Sequence, residues 1–461
     1  MHIKNITMLT AGILASCTVA TKVHGQTSDP ALNALIKKGI LTEQEAKAAL
    51  AEQEEKAKKA KSSDSDVRVF WKDGLNFESA DKKFKGKLGG RIDIDTGVFS
   101  ESDEVRSIPS IGDIPAAVEL RRARLSLEGE YAFPAPAFYK LEVDFGAAAR
   151  DAADAKFALK DVYLGLRKVP VVGTIQAGHF KEPIGLELLN SSRYLTFIER
   201  ATPIEALAPE RNTGLMLANT AFDERLTWAV GTFTEVGDSA SGTLDSDFRV
   251  DGRVSGLPWY DPEAKGSRYL HLGVSGSYMK PQNEMAQYRS RPEAHLAPRF
   301  VDTGLFAADK AYLFGGEAAL VYGPFSVQGE YLQTWVDTPA ADTASLQGYY
   351  VFGSWFLTGE HRAYRRSDGT FDRLRPNKNF SFTGGGLGAW EVAARYSHLD
   401  LDDSGIQGGK LDDITGGLNW YLNPNLKLQF NYIYSMLDRT VSGSNHDGHA
   451  HIFLTRLHID F

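Results

Sequence analysis

One cysteine in 461 residues, Cys17, leaves no internal disulfide and no thiolate-rich metal site. No apolar run after the N-terminal leader reaches the ~20 residues of a spanning helix, which excludes a helical membrane protein. Positive charge is also in short supply: 51 Lys and Arg against 59 Asp and Glu give a formal charge of -8, the wrong sign for a nucleic-acid binder. A Gly-Xaa-Ser-Xaa-Gly elbow, a His-Glu-Xaa-Xaa-His pair and a phosphate-cradling glycine loop before a helix are all missing, so no enzyme and no cofactor site are expected. His446, His449 and His451 lie near Asp447 and raise a metal reading, but Ser442 to Gly448 reads first as a flexible outer loop and no metal is expected.

The leader has a short basic start, Met1 to Lys4, an apolar stretch from Ile6 to Val19, and small or short residues before a cut after Gly25. That is the pattern of a secretory signal peptide over residues 1–25, and removing it leaves a mature chain without cysteine. Leu14-Ala15-Ser16-Cys17 also resembles a lipoprotein cleavage box, an alternative cut. Residues 26–66 read as a helical periplasmic segment and linker. Leu32, Leu35 and Ile36 share a face, Gly39 breaks the helix, and Thr42 with Glu45 has capping-box spacing for a second helix. Ser62 to Asp66 is linker. The apolar stripe is short for a coiled coil, so a solvated tail and a short self-associating helix both remain open.

From Val67 to Phe461 the texture is strands and turns. In the final stretch Phe453, Leu457, Ile459 and Phe461 share one parity with Thr455, while Arg456, His458 and Asp460 share the other, with Leu454 the apolar exception. Lipid on one side and water on the other asks for this alternation, and a terminal aromatic preceded by it looks like an outer-membrane assembly signal. The dyad recurs in 138–145, 268–278 and 426–435. Short turns alternate with long polar connections at 100–117, 185–212, 281–309, 361–386 and 436–450. About seventeen strand segments can be counted from Leu75, but a single-chain barrel needs an even number. The expected fold is therefore an all-β transmembrane barrel of about 16 antiparallel strands in outer-membrane lipid, with 75–79 as a hairpin arm outside the wall and an aqueous channel within.

Parity also places the arginines. If Ala123, Leu125 and Leu127 face lipid, then Arg122 and Arg124 face the lumen, and Arg249 and Arg253 follow by the same logic opposite Phe248, Val250 and Val254. Arg456 and Arg91 join them, while Arg121, of lipid-facing parity, is expected to reach the interface from a strand end. A charge facing lipid at mid-depth costs a few kcal/mol, which forces the inward assignment. A positive stripe would concentrate anions, although any wide pore also carries mixed charge for hydration. The connection of about thirty residues between strands 173–180 and 213–220 is too long for a turn. Its apolar residues Leu186, Leu188, Leu189, Leu195, Phe197 and Ile198 predict that it folds inward to narrow the channel, carrying Ser191, Ser192 and Arg193 as donors to an anion.

The motifs Leu88-Gly89-Gly90-Arg91, Arg121-Arg122-Ala123, Gly185-Leu186-Glu187, Asn190-Ser191-Ser192-Arg193, Asn212-Thr213-Gly214, Gly348-Tyr349-Tyr350, Leu357-Thr358-Gly359-Glu360, Gly388-Ala389-Trp390-Glu391, Arg395-Tyr396-Ser397 and Leu418-Asn419-Trp420-Tyr421 follow one another from about Phe84 to Phe461. In order and spacing they resemble the phosphate-selective porins of the O/P type. The resemblance implies a sixteen-stranded outer-membrane barrel, a homotrimer, an inward third loop and a ladder of arginines, for which Arg91, Arg122, Arg249 and Arg253 match. It implies small anions and solutes as partners, with phosphate contacted by the loop segment at Ser191, Ser192 and Arg193. Two departures stand out: Leu188 occupies the loop-lysine position, and Gln333 and Thr334 stand where paired arginines follow Glu-Tyr-Leu. The expectation is a passive channel for small hydrophilic solutes that favours anions. Its rivals are a channel specific for another anion or an organic solute, and a barrel that mainly anchors the envelope.

Overall fold

The computed structural model describes residues 30–42, 44–52, 67–132, 135–146, 157–236, 248–339 and 342–461. The chain divides into two units, 1–66 and 67–461. In the first, a helix spans Pro30–Lys37 and a second covers 44–52. Between them the capping box closes: the Thr42 N–H donates to Glu45 Oε2 at 2.8 Å, and the Glu45 N–H donates to Thr42 Oγ1 at 3.3 Å. The leader, its cleavage site and residues 53–66, the expected linker Ser62 to Asp66 among them, lie outside the described residues.

The second unit is a closed ring of 16 antiparallel strands. In chain order they are β1 Phe84–Glu101, β2 Ala117–Tyr131, β3 Ala137–Asp144, β4 Ala158–Val169, β5 Gly173–Lys181, β6 Arg211–Ala221, β7 Leu226–Thr234, β8 Phe248–Tyr260, β9 Arg268–Lys280, β10 Lys310–Tyr322, β11 Phe325–Asp337, β12 Ala344–Phe356, β13 Ala389–Asp403, β14 Ile406–Asn423, β15 Leu426–Val441 and β16 Ser444–Asp460. Each strand pairs with its sequence neighbours, and β16 closes the ring on β1 from Ala450 opposite Glu101 to Asp460 opposite Arg91. The last residue completes the seam, because the Phe461 N–H donates to Gly90 O at 3.0 Å and the Gly90 N–H returns to Phe461 O at 2.9 Å. Closure pairs backbone groups that hydrocarbon cannot satisfy. Residues 75–79 pair with the foot of β1, Leu75 opposite Leu88, outside the closed wall as expected, and with a further strand, Val67–Trp71.

The alternation holds on the wall: Phe453, Leu457 and Ile459 are exposed, whereas Arg456, His458 and Asp460 are buried inside. Outward aromatic pairs gather at the short-turn rim, with Phe325 on Trp355, Trp259 on Tyr322 and Trp390 on Trp420 at 5.5, 6.4 and 5.1 Å between ring centres. Amphipathic rings suit that interface.

Two connections differ from expectation. Residues 436–450 form no loop: β15 and β16 run on as a ladder to Val441 opposite Ser444 and turn at Ser442 and Gly443, which carry φ of 51° and 82°. Beyond the lipid a strand has no need of an apolar face, so polar residues there do not mark a loop. His449 and His451 meet edge to face on its outer side, 5.4 Å between ring centres. Residues 357–388 are a long connection, as expected, but they leave from the short-turn end and not from the end of the other long connections.

The interior explains Leu454. Its upper part is an apolar core in which Val105 and Ile108 of connection 102–116, Leu188, Phe197, Ile198 and Ile204 of connection 182–210, and Phe300 and Val301 of connection 281–309 pack on Leu411, Ile433, Ile452 and Leu454 of the wall. Each such side chain contributes roughly 1.5–3 kcal/mol by leaving water. The lumen is therefore partly solid, and three connections are anchored inside it.

Candidate constriction and anion path

Connection 182–210 folds inward as its apolar residues predict, and charge fixes it at both ends of one helical turn, Leu186–Leu189. At the N-terminal end the carboxylate of Glu330, on β11, accepts from the Leu186 and Glu187 N–H groups at 2.7 and 2.6 Å. At the C-terminal end Lys181 Nζ donates to Leu188 O and Asn190 O at 2.6 and 2.9 Å, and Arg200 donates to Glu187 O, Leu188 O and Asn190 O at 3.0, 3.2 and 3.1 Å. A negative group at the N–H end and positive groups at the carbonyl end complement the dipole of the turn. Replacing Glu330 by leucine removes two charge-assisted bonds of roughly 1.5–3 kcal/mol each. Single-channel recordings of Glu330→Leu are expected to show open-channel noise well above the parent; equal noise would mean that the apolar anchors alone hold the loop.

A β-bulge sets the charge beside this loop. Asp93 pairs with Arg122 and Ile94 with Leu120, so Arg121 is the extra residue of β2. Arg121 and Arg122 consequently both enter the lumen, and Arg121 does not reach the lipid interface as parity predicts. Arg121 binds the carboxylate of Glu199 with two bonds, Nε to Oε1 at 2.8 Å and Nη2 to Oε2 at 3.2 Å. Arg456 Nη2 donates to the same Oε1 at 2.7 Å, and Arg122 Nη2 stands 3.7 Å from it. Arg91 Nη1 donates to Ser192 Oγ at 2.8 Å, and Arg124 holds Glu142 and Asp144 at 2.9 and 2.7 Å.

Arg91, Arg122, Arg124, Arg456 and Ser192 thus converge. The remaining expected residues lie apart. Ser191 Oγ accepts from the Arg193 N–H at 3.4 Å, and Arg193 turns to Asp460 at 3.5 Å. Arg249 meets Glu182 at 3.5 Å, and Arg253 grips Glu317 at 2.6 Å, both from β8, half-way round the ring. A ladder of free guanidinium groups is not what forms. Each of the six arginines expected along the wall has a carboxylate within 4.0 Å, as buried charge requires.

The recess between loop and wall is nevertheless rich in cations. Arg121, Arg122, Arg124, Lys160, Lys181, Arg200, Arg211 and Arg291 line it against Glu199, Glu205 and Glu210, with Leu188 and Ile204 as apolar floor. Burial would raise the Glu210 carboxyl, but Arg200 and Arg211 overrule it and bring it to about 2. Burial and then Arg121 push His295, also on the rim, down to about 4, which keeps it neutral at pH 7.

Residues 357–388 enter the barrel from the opposite end. Arg362 lies 3.4 Å over the Phe371 ring and donates to Gln328 Oε1 at 2.9 Å. Arg373 grips Asp460 with two bonds, and Tyr364 OH meets His271 Nδ1 at 2.6 Å. The Phe371 N–H donates to Asn190 Oδ1 at 2.9 Å, so this segment touches the constriction loop.

Residues 87–461 match the family model described as phosphate-selective porin O and P. The chain belongs to that family. It is an outer-membrane porin. This porin is 27% identical to Porin O of Pseudomonas aeruginosa over 439 residues, which covers 86% of this chain and 93% of that protein. It is 30% identical to an uncharacterized protein of Caulobacter vibrioides over 421 residues, 87% of this chain and 79% of that one. Among solved structures, the outer membrane channel DcaP of Acinetobacter baumannii aligns with a TM-score of 0.51 at 12% identity, covering 83% of this chain and 99% of its own. An anion-selective porin from Comamonas acidovorans does so with a TM-score of 0.51 at 13%, covering 82% and 100%. At those identities the likeness is one of fold.

Within this porin the departures noted in the sequence are real gaps in charge. Leu188 is buried in the apolar core, and Gln333 spends its amide on Ser345 Oγ at 2.6 Å. Three basic residues in or beside the loop were left unassigned by sequence reasoning. Lys181, the last residue of β5, and Arg200, within the loop, both hold its helical turn. Arg395, read only as part of a motif, lies under the loop, 3.4 Å from Glu187 and 4.3 Å from the Phe197 ring centre, and pairs with Glu293.

Proposed function

We propose that this porin conducts small anions, phosphate among them, in preference to cations. The observation that carries the reading is the recess between the constriction loop and the wall, where Arg and Lys side chains outnumber carboxylates. Low-dielectric walls focus the field of such a lining, and guanidinium donors offset the water that an anion gives up. The family description and the anion-selective neighbour favour the same direction. A homotrimer, implied by the family resemblance, is part of the reading.

The pairing of each wall arginine with a carboxylate favours a second reading, a channel tuned to another anion or an organic solute. Planar-bilayer recording separates the two. With purified protein in a KCl gradient, the reversal potential is expected on the chloride side, with three equal closing steps per inserted particle and a chloride current reduced by added phosphate. Chloride selectivity that phosphate leaves untouched would select the second reading, and cation selectivity would overturn anion preference altogether and leave only the organic-solute channel.

A further inference from the structure

The geometry of connection 182–210 points to a role for its own carboxylate, and we propose that Glu199 is a tethered competing anion: it occupies the arginine cradle at rest, and an arriving anion binds there by displacing it. The inference deepens the anion-preference reading and rests on it for the identity of the ligand. Three features support it. Arg121 has no other carboxylate within 4.0 Å among the described residues, and it reaches the lumen only through the bulge. Arg122 and Arg456 are already neutralised by Asp93 and Asp95 on the wall, so Glu199 binds donors that the wall leaves over.

The third feature is that the carboxylate can leave without the loop. Arg456 donates to Ile198 O, and Arg395 Nη2 donates to Glu199 O at 3.2 Å, so the backbone on either side is pinned. Displacement is then a side-chain rotation of Glu199, which is 14% exposed and in reach of water. A phosphate brings more acceptor oxygens than a carboxylate, and bidentate guanidinium groups suit it. A purely structural ion pair would instead hold the loop and leave conduction unchanged when replaced by a neutral isostere.

The test is Glu199→Gln in planar bilayers, with inorganic phosphate as the probe and heat-modifiable gel mobility as the check on folding. Expected are a larger chloride-to-potassium permeability ratio and a half-blocking phosphate concentration lower by about tenfold or more, the factor that one charge-assisted hydrogen bond represents. Glu119→Gln is the control, since Glu119 pairs with His295 at 2.9 Å and lies outside the cradle. An unchanged block in Glu199→Gln overturns the proposal, and so does an equal gain in Glu119→Gln, which would report total lumen charge only. If Glu199→Gln fails to fold, Glu199→Asp retains the charge on a shorter stem and is expected to gain part of the effect; no gain overturns the proposal. A parent channel without anion preference whose Glu199→Gln variant acquires it would sink the functional reading and leave the cradle standing. An anion-selective parent with an identical variant would do the reverse.

Discussion

Replacing Arg121 and Arg122 together by glutamine is expected to turn the channel toward cations. The two substitutions remove two fixed positive charges at one level of the lumen and leave Glu199 and Asp93 without those partners. A unit charge about 4 Å away is worth up to ~4 kcal/mol at an effective dielectric of 20, enough to dominate the choice between ions of opposite sign. The reversal potential in a KCl gradient should change sign. Arg122→Gln alone should do less, because Asp93 keeps its contact with His458. A double variant that kept the parent's reversal potential would place the selective region elsewhere, around Arg249 and Arg253 of β8.

The second large effect concerns the segment from the short-turn end. Phe356 of β12 lies opposite Glu391 of β13, so the six residues 357–360 and 387–388 that remain when residues 361–386 are excised can bridge the two strands. Conductance is expected to rise severalfold, because Arg362, Phe371 and Arg373 would no longer fill the lumen beneath the constriction loop. The loop would also lose the Phe371 bond to Asn190. Single-channel conductance in molar KCl measures the outcome directly. An unchanged value would mean that the segment lies beside the ion path.

Much of this was legible in the sequence, because hydrophobic alternation is a property of each strand by itself. Phe453, Leu457 and Ile459 announced the wall, and Leu186, Leu188 and Phe197 announced an inward loop. The remainder depends on relations between strands. Arg121 faces inward because β1 and β2 slip by one residue at Asp93, and alternation along β2 alone cannot register a slip against its neighbour. The pairing of Arg124 with Glu142 and Asp144 follows from β2–β3 register, again invisible along one strand. Residues 357–388 looked like one more outer connection until strand parity placed them at the other end; Phe371 and Leu374 were the apolar hint. Residues 436–450 misled in the opposite sense, since polar composition stood for a loop where a strand merely outruns the lipid.

The bulge has a further consequence for how such channels diverge. Because it turns one added residue inward while Leu120 and Ala123 stay on the lipid side, the smallest change that alters pore charge here is a one-residue insertion or deletion, not a substitution. Deleting Arg121 would restore even alternation, remove one cation from the lumen and leave the membrane-facing residues in place. Specificity can then shift between relatives at a position that an ungapped alignment does not contain, and a gap inside a strand, usually discounted as an alignment error, becomes a place to look for altered selectivity.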